Sequence, residues 1–301
     1  MRALVTGATG FIGQHLMARL ERPIVLSRNA AHAAQSLTKF NVRAFGWEPA
    51  AGSPPLEAFD GIEAVFHLAG DPIAEGRWTS EKKRCIRESR VVGTHNLVEA
   101  LAKLTTRPRV LVSASAVGYY GSRGQDVLDE SAPPGSDFLA ELCQTWEQES
   151  QAASSLGMRV VNIRTGVALG HEGGALKKLL LPFRLGLGGP LGDGLQWMPW
   201  IHVDDLAALY IAAAETDRFR GPINGVAPNP VTNAEFTRAL ADTLHRPALF
   251  RVPYFALRTT LGEVAEVLFS SQRAVPKAAL DAGFQFQYAE LNLALRSIIQ
   301  N

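Results

Sequence analysis

The sequence predicts an α/β protein, a doubly wound parallel sheet carrying a smaller, mostly helical C-terminal lobe. Three observations predict it. Short apolar runs recur between residues 2 and 226 without polar alternation, as expected of strands covered on both faces. Helix-period segments separate them, and a glycine-rich turn follows the first run. The predicted strands are Arg2–Thr6, Ile24–Ser27, Val42–Gly46, Ala64–Leu68, Arg109–Ser113, Val160–Arg164 and Ile223–Val226. Between them, Ile12, Leu16 and Leu20 share one helix face, as do Val91, His95, Val98 and Ala102. Phe236, Leu240 and Leu244 do the same in a helix over 233–244. The alternation breaks where glycines and prolines crowd Gly166–Pro199, and again after Pro228. Residues 1–166, continued by about 200–227, therefore read as the dinucleotide-type core, with 167–199 and 228–301 forming the second lobe. PAAGSPP, Pro49 to Pro55, reads as a surface loop.

The composition is that of an ordinary globular chain: 301 residues, 47% hydrophobic and 20% charged. Thirty basic against twenty-nine acidic side chains leave a net charge of +1. That balance argues against a nucleic-acid or membrane-binding surface, although a local patch can hide within it. No run approaches the roughly 18 apolar residues of a membrane span. The chain enters structure at MRALVTG without the apolar core of a signal peptide. Cys85 and Cys143 have neither disulfide-framework nor metal-ligand spacing and read as buried or half-buried thiols. A reducing, cytoplasmic setting is expected. The seven histidines are scattered, so no metal is predicted.

The turn TGATGFIG, Thr6 to Gly13, carries the first functional signal. Gly7 permits a tight strand-to-helix turn, Gly10 lets backbone approach a pyrophosphate, and Gly13 lets helix pack on strand. Thr9, Phe11 and Ile12 complete the loop and helix start, where free N–H groups and a partial positive charge meet phosphate. An acid that would bind a ribose 2′-hydroxyl is expected about 20 residues past the first glycine. Ser27-Arg28 stands there instead, a hydroxyl and a guanidinium suited to a 2′-phosphate. The expected cofactor is NADP (NADPH).

The second signal is VSASAVGYYGSRG, Val112 to Gly124, with Val112 read as the strand end. Together with TGATGFIG, HLAG (His67 to Gly70) and WIHVDDLA (Trp200 to Ala207), it resembles the extended short-chain dehydrogenase/reductase family. More narrowly, SRVVGTHNLVEAL, DFLAELCQTWE, NGVAPNPVTNAEF and PKAALDAGFQFQY are similar to its NAD(P)-dependent epimerase-like branch. The resemblance covers essentially the whole chain. It implies a Rossmann domain, a small C-terminal lobe, and chemistry resting on a serine, a tyrosine and a lysine, with an asparagine nearby. Leu68, Ala69, Gly70 and Ser113 are expected cofactor contacts, and Arg164, leaving a strand at the C-terminal sheet edge where ligands bind, is a candidate for the cofactor or the substrate pocket. A phenol with an ordinary pKa near 10 needs an adjacent cation to exchange protons near neutrality.

Carried over residue by residue, the family serine falls on Ser115, with Ser113 second choice. With Glu147 as the acid that follows the lysine, the tyrosine falls on Leu139 and the lysine on Cys143. One register earlier these become Phe138 and Leu142, and neither register restores a phenol or an amine. The asparagine position is Arg90, which offers a positive charge near the cofactor or substrate, against the alternative that it pairs with an acid from a neighbouring loop. Tyr119 and Tyr120 are the local candidates for a replacement proton relay, against the alternative that they merely pack the turn. Glu141 and His67 are weaker candidates, each with a surface or structural alternative. His202 and Asp204 read as residues that join the lobes and start a helix. Gly188–Gly192 is a candidate lid, with Trp78, Gln196, Trp197, Met198 and Trp200 as candidate substrate-facing groups or lobe packing.

Two readings stay open on the sequence. One is an NADP-dependent oxidoreductase or epimerase-like enzyme acting on a hydroxyl or carbonyl carbon of a small molecule. The other is a catalytically weak NADP(H)-binding sensor or partner-binding protein. A monomer or homodimer is expected.

Overall fold

The computed structural model describes residues 1–300. In chain order the elements are β1 (Ala3–Thr6), α1 (Phe11–Met17), β2 (Ile24–Ser27), α2 (Ala30–Ser36), β3 (Arg43–Gly46), β4 (Ala64–His67) and α3 (Ser80–Ala102). Next come β5 (Val110–Ala116), β6 (Val127–Leu128), α4 (Phe138–Gln151), β7 (Arg159–Thr165), β8 (Val167–Leu169) and α5 (Gly174–Arg184). They are followed by β9 (Trp197–Met198), β10 (Trp200–His202), α6 (Val203–Glu215), β11 (Gly221–Gly225), β12 (Val231–Thr232) and α7 (Asn233–Leu244). The chain closes with α8 (Tyr254–Leu261), α9 (Val264–Phe269), β13 (Arg273–Ala274), α10 (Lys277–Asp281) and α11 (Leu291–Ile299).

Seven strands form one parallel sheet in the order β3-β2-β1-β4-β5-β7-β11. The order reverses between β1 and β4, the crevice where ligands bind in open α/β sheets. The pleat explains why the strands read as unbroken apolar runs. Val5, Phe66, Val112 and Ile163 pack against α1 and α6 through Leu16, Met17, Leu206 and Tyr210. Their neighbours Leu4, Val65, Leu111 and Val160 face the other way onto Leu97, Val98 and Leu101 of α3. Helix starts follow their side chains: Thr79 and Asp137 cap α3 and α4, and Thr232 with Glu235 forms a capping box on α7.

One boundary differs from the sequence reading. β5 does not end near Val112 or Ser113 but continues to Ala116, in register with β7 as far as Ala116–Thr165. Ser113 and Ser115 are therefore strand residues two apart, and the pleat turns both side chains to the same face.

The second lobe has its own core, with Leu176, Leu180 and Phe183 of α5, Phe236 and Leu240 of α7, and Leu291, Leu295 and Ile298 of α11 around Trp200. The glycine turn itself helps to seat it. The Phe11 ring lies so close to Gly170 and Gly173 that a Cβ there would stand 2.6 Å and 2.5 Å from it. His202 caps α6, as read from the sequence, and Asp204 meets His15 of α1 at 2.9 Å. Asp205 accepts from the amides of Gln287 and Tyr288, which fastens the C-terminal segment to the same helix. Among the described residues no helix is long and apolar enough to cross a membrane.

Candidate dinucleotide site and the neighbouring polar cluster

The glycine turn is packed as a nucleotide turn must be. Gly7 has φ +71°, and a Cβ on it would lie 2.7 Å from the backbone of Leu68. A Cβ on Gly13 would lie 2.2 Å from the Gly7 carbonyl, so only glycine lets α1 approach β1 this closely. Gly10 is the N-cap of α1, with no side-chain cap, and its amide donates to the Gly7 carbonyl at 3.0 Å. Phe11 and Ile12 open the helix, and Thr9 accepts a hydrogen bond on its carbonyl from Gln14 at 3.1 Å. At the far side of the crevice, the amides of Leu68 and Ala69 donate to the carbonyl and the hydroxyl of Thr6.

The end of β2 brings Ser27 and Arg28 to the same edge. Ser27 is engaged locally with Asn29, whereas the exposed Arg28 side chain has no hydrogen bond or ion pair among the described residues. It is free to meet an anion.

Arg90 is buried on α3 and comes close enough to Gly70 that a Cβ on that glycine would stand 2.9 Å from its Cζ. Its Nη1 donates to the carbonyls of Asp71 at 2.9 Å and Ile86 at 3.3 Å, and its guanidinium lies 5.2 Å over the Trp146 ring. Arg90 Nε and Trp146 Nε1 are both buried without a partner. Burial draws the Arg90 pKa down to about 10, which leaves it cationic at neutral pH. Glycines that no side chain can replace, an uncommitted arginine at the β2 end and a buried guanidinium with an orphaned N–H form a donor set that fits a phosphorylated dinucleotide.

His67 has a structural task. Its Nδ1 meets the Thr6 hydroxyl at 2.8 Å and its Nε2 meets Thr94 at 3.0 Å. Burial, assisted by the Arg90 charge, lowers its pKa to about 4, so it stays neutral and braces β1 against β4 and α3.

The candidate catalytic hydroxyls are gathered into a different cluster. The Ser115 hydroxyl donates to Glu147 Oε1 at 2.6 Å. Glu147 is gripped by Arg164, whose Nε and Nη2 donate to its two carboxylate oxygens at 2.8 Å each. Arg164 Nη1 donates to the Tyr120 hydroxyl at 3.0 Å, and that hydroxyl donates to Asn224 Oδ1 at 2.7 Å. Tyr119 stacks on the Arg164 guanidinium, 3.4 Å from Cζ to the ring centroid. Burial pushes the Tyr120 phenol up to about 12, even against the adjoining guanidinium. Burial also works against the Arg164 charge, but the Glu147 carboxylate more than offsets it and holds the guanidinium above its ordinary range.

The structure places four of the residues singled out in the sequence in this cluster. Ser115 is turned by the β5 pleat onto α4, where Glu147 takes its proton donor. Tyr120 is fully buried as a link between β7 and β11. Tyr119 lines a groove of about 510 Å³ with Gln144, Gln148, Gln151, Asn162 and Pro222, which contains no residue of the glycine turn or of Leu68–Gly70. Arg164 spends four of its five N–H donors on Glu147, Tyr120 and the Glu130 carbonyl, inside the protein and away from the glycine turn. Ser113 is also buried, its hydroxyl donating to the Ala114 carbonyl at 3.3 Å.

Where the family resemblance places tyrosine and lysine, Leu139 and Cys143 pack on the turn after β5. A Cβ on Gly118 would stand 3.3 Å from Leu139 Cβ and 4.0 Å from Cys143 Sγ. Burial pushes the Cys143 thiol up to about 12, with the Glu147 carboxylate adding to the shift, so it offers no thiolate. Glu141 is exposed on α4. The aromatic candidates are mostly packing groups: Trp200 is buried with Nε1 on the Asn229 carbonyl, and Trp197 bonds Gln125 beneath Arg273. Gln196 is buried and donates to the Leu191 carbonyl, and Met198 sits at the edge of the second core. Trp78 meets Phe138 edge-on at 5.3 Å. The Gly188–Gly192 segment is fastened to Val252 at Pro190 and Gly192 by bonds of 2.9 Å, so it is no free lid.

Three residues were missed by sequence reasoning: Glu147 as a bidentate partner, and Glu130 and Asn224. Glu130 accepts from the amides of Asn224 and Ala278, tying β11 to α10. Their separations of 94 and 148 residues leave no local pattern to read.

Fold and turn define a dinucleotide-binding doubly wound α/β protein with an added helical lobe. The chain belongs to the NAD-dependent epimerase/dehydratase family, whose model matches residues 3–224, and a domain of unknown function, DUF1731, matches residues 252–298. It is 42% identical to the chloroplastic epimerase family protein SDR39U1 homolog of Arabidopsis thaliana, over 100% of this chain and 87% of that protein. It is 39% identical to the epimerase family protein YfhF of Bacillus subtilis, over 99% and 98%. Among solved structures, human epimerase family protein SDR39U1 (isoform 2) with NADPH superposes with a TM-score of 0.88 at 35% identity, covering 100% of both chains. A nucleoside-diphosphate sugar epimerase from Corynebacterium glutamicum gives 0.80 at 35% identity, over 99% of this chain and 58% of that one.

Proposed function

We propose that this chain is an NADP(H)-binding protein of the short-chain dehydrogenase/reductase type that lacks the family's serine–tyrosine–lysine proton relay. It holds the dinucleotide for a sensing or partner-binding role and turns over slowly. One observation carries the reading: the donor set for a phosphorylated dinucleotide is retained, while the Ser113, Ser115 and Tyr120 hydroxyls are bonded within the protein and Tyr119 lines a groove without the glycine turn. When bound, the nicotinamide supplies or accepts a hydride. The chain contributes the glycine turn for the pyrophosphate, Arg28 for the 2′-phosphate and Arg90 as a fixed cation beside Gly70. NADPH in the human relative supports the same cofactor here. Two free cysteines suit a reducing cytoplasm, and nothing in the site suits nucleic acid.

A second reading is an oxidoreductase or epimerase-like enzyme acting on a hydroxyl or carbonyl carbon of a small molecule. The half-buried Lys82–Asp71 ion pair favours it, because it sets an ammonium and a carboxylate at the crevice rim beside Arg90, which the Asp71 carbonyl also holds. NADPH oxidation across a carbonyl panel separates the two readings. Equal, low rates in wild type, Ser115→Ala, Tyr119→Phe and Tyr120→Phe are expected. Substantial wild-type turnover that falls by about a hundredfold in any of these variants overturns the first reading.

A further inference from the structure

The near-zero net charge of the chain conceals a one-sided surface on the second lobe. Seven large apolar side chains are between 61% and 79% exposed, and six of them fall in two short segments: Leu181, Leu185 and Leu187, and Leu249, Phe250 and Phe255. The segments run side by side. A Cβ on Gly186 would stand 3.7 Å from Pro247, Gly192 donates to the Val252 carbonyl at 2.9 Å, and Val252 donates to that of Pro190 at 2.9 Å.

Their sequence explains why these groups face outward. In α5, Leu176, Leu180 and Phe183 are buried against the lobe core, which leaves Lys177, Leu181, Arg184 and Leu185 on the opposite stripe. No residue of α8 is buried. Between residues 173 and 192, and again between 243 and 262, there are six lysines and arginines and no aspartate or glutamate. Arg258 pairs with Glu266, and Lys178 donates to the Ala74 carbonyl. The exposed Lys177, Arg184, Arg246 and Arg251 side chains have no hydrogen bond or ion pair among the described residues.

We propose that this face docks on the surface of an anionic phospholipid bilayer. Protruding leucines and phenylalanines interleaved with unpaired cations match what an acyl–headgroup boundary takes up, with apolar tips below and positive charges at phosphate level. A second copy of the chain is a poor occupant. A two-fold contact would set the patch against itself and bring Lys177, Arg184, Arg246 and Arg251 together, while Glu172, Asp193, Asp242 and Glu263 stand at the segment ends. The overall charge balance, which argues against a membrane surface, averages this patch against acids lying elsewhere.

The test is co-sedimentation of the full-length protein with vesicles of phosphatidylglycerol in phosphatidylcholine, against pure phosphatidylcholine vesicles. Sedimentation with the anionic vesicles is expected, weakened by salt. Arg184→Gln with Arg251→Gln should lower partitioning by roughly twenty-fivefold, about fivefold for each charge near the surface. Leu185→Glu with Phe250→Glu should abolish it, with the thermal midpoint unchanged because all four positions are exposed. If the apolar variant misfolds, the arginine variant still reads the prediction. Failure to sediment, equal binding to neutral vesicles, or binding that survives the apolar exchange overturns the proposal. So does a solution dimer that Phe250→Glu dissociates, which assigns the face to a second copy, or binding of an acidic peptide without binding of vesicles.

Discussion

Removing Glu147 should be far more costly than removing an ordinary surface carboxylate. Arg164 is 3% exposed and Glu147 12%, with two parallel hydrogen bonds of 2.8 Å between them. In Glu147→Ala the guanidinium stays buried with two donors unanswered, and the Ser115 hydroxyl loses its acceptor. Breaking a buried pair from one side costs about 3–5 kcal/mol, against about 0–1 kcal/mol for an exposed pair. Arg164→Ala should cost a similar amount, since it strands Glu147 and removes the cation under Tyr119. The double variant should cost less than the two singles together, because neither charge is then left buried alone, with a coupling of about 2 kcal/mol. Urea unfolding followed by tryptophan fluorescence and far-ultraviolet circular dichroism reads all three, with coincident transitions licensing the free energies. A cost for Glu147→Ala below about 1 kcal/mol, or strictly additive singles, would refute the assignment of Glu147, Arg164 and Ser115 to a structural cluster.

Tyr120→Phe should cost about 1–3 kcal/mol, because Asn224 Oδ1 loses its donor and Arg164 loses an acceptor, while NADPH affinity stays unchanged. Alkaline difference spectroscopy should show a tyrosine that ionises toward pH 12 in wild type and is missing from the variant, whereas the buried Tyr210, also raised by desolvation, is unaffected. His67 tests the acid side. Its folded pKa of about 4 lies below the ordinary 6.5, so between these values the unfolded chain binds the extra proton. Stability from this group is then full above pH 6.5 and falls as pH drops toward 4, by about 3 kcal/mol in all. Nitrogen-15 spectra showing His67 protonated at pH 6 would contradict this. Gly13→Ala places a Cβ 2.2 Å from the Gly7 carbonyl and should destabilise by about 3 kcal/mol or more and abolish NADPH binding. Gly46→Ala, with nothing within 4 Å, should leave both unchanged and serves as the control.

Much of the fold was legible because both sheet faces are covered. Strands with a core on each side carry apolar runs, such as Ala64 to Phe66 in β4, and the glycine turn fixed where the first helix begins. The end of β5 was not legible. Ser113-Ala114-Ser115-Ala116 carries little strand signal, and its extension depends on pairing with β7, 49 residues further on at Ser115 and Arg164. That misplacement mattered, since the pleat of the extended strand turns the Ser115 hydroxyl onto Glu147 of α4. The polar cluster was invisible for the same reason. Tyr120, Asn224, Glu130 and Arg164 are scattered along the chain, and only the closed sheet edge brings them together. Leu139 and Cys143 were readable as absences, and the structure shows what the absence permits, an apolar seam between α4 and the turn after β5.

A dinucleotide site that survives without the relay must still bind its phosphorylated cofactor through Arg28. The direct measurement is a fluorescence titration of NADPH and of NADH into wild type and Arg28→Ala. Wild type should bind NADPH more tightly, with a preference of about tenfold to a hundredfold that collapses in Arg28→Ala while NADH affinity is little changed. Equal affinity of wild type for the two dinucleotides, or an NADPH preference untouched by the loss of Arg28, would contradict it.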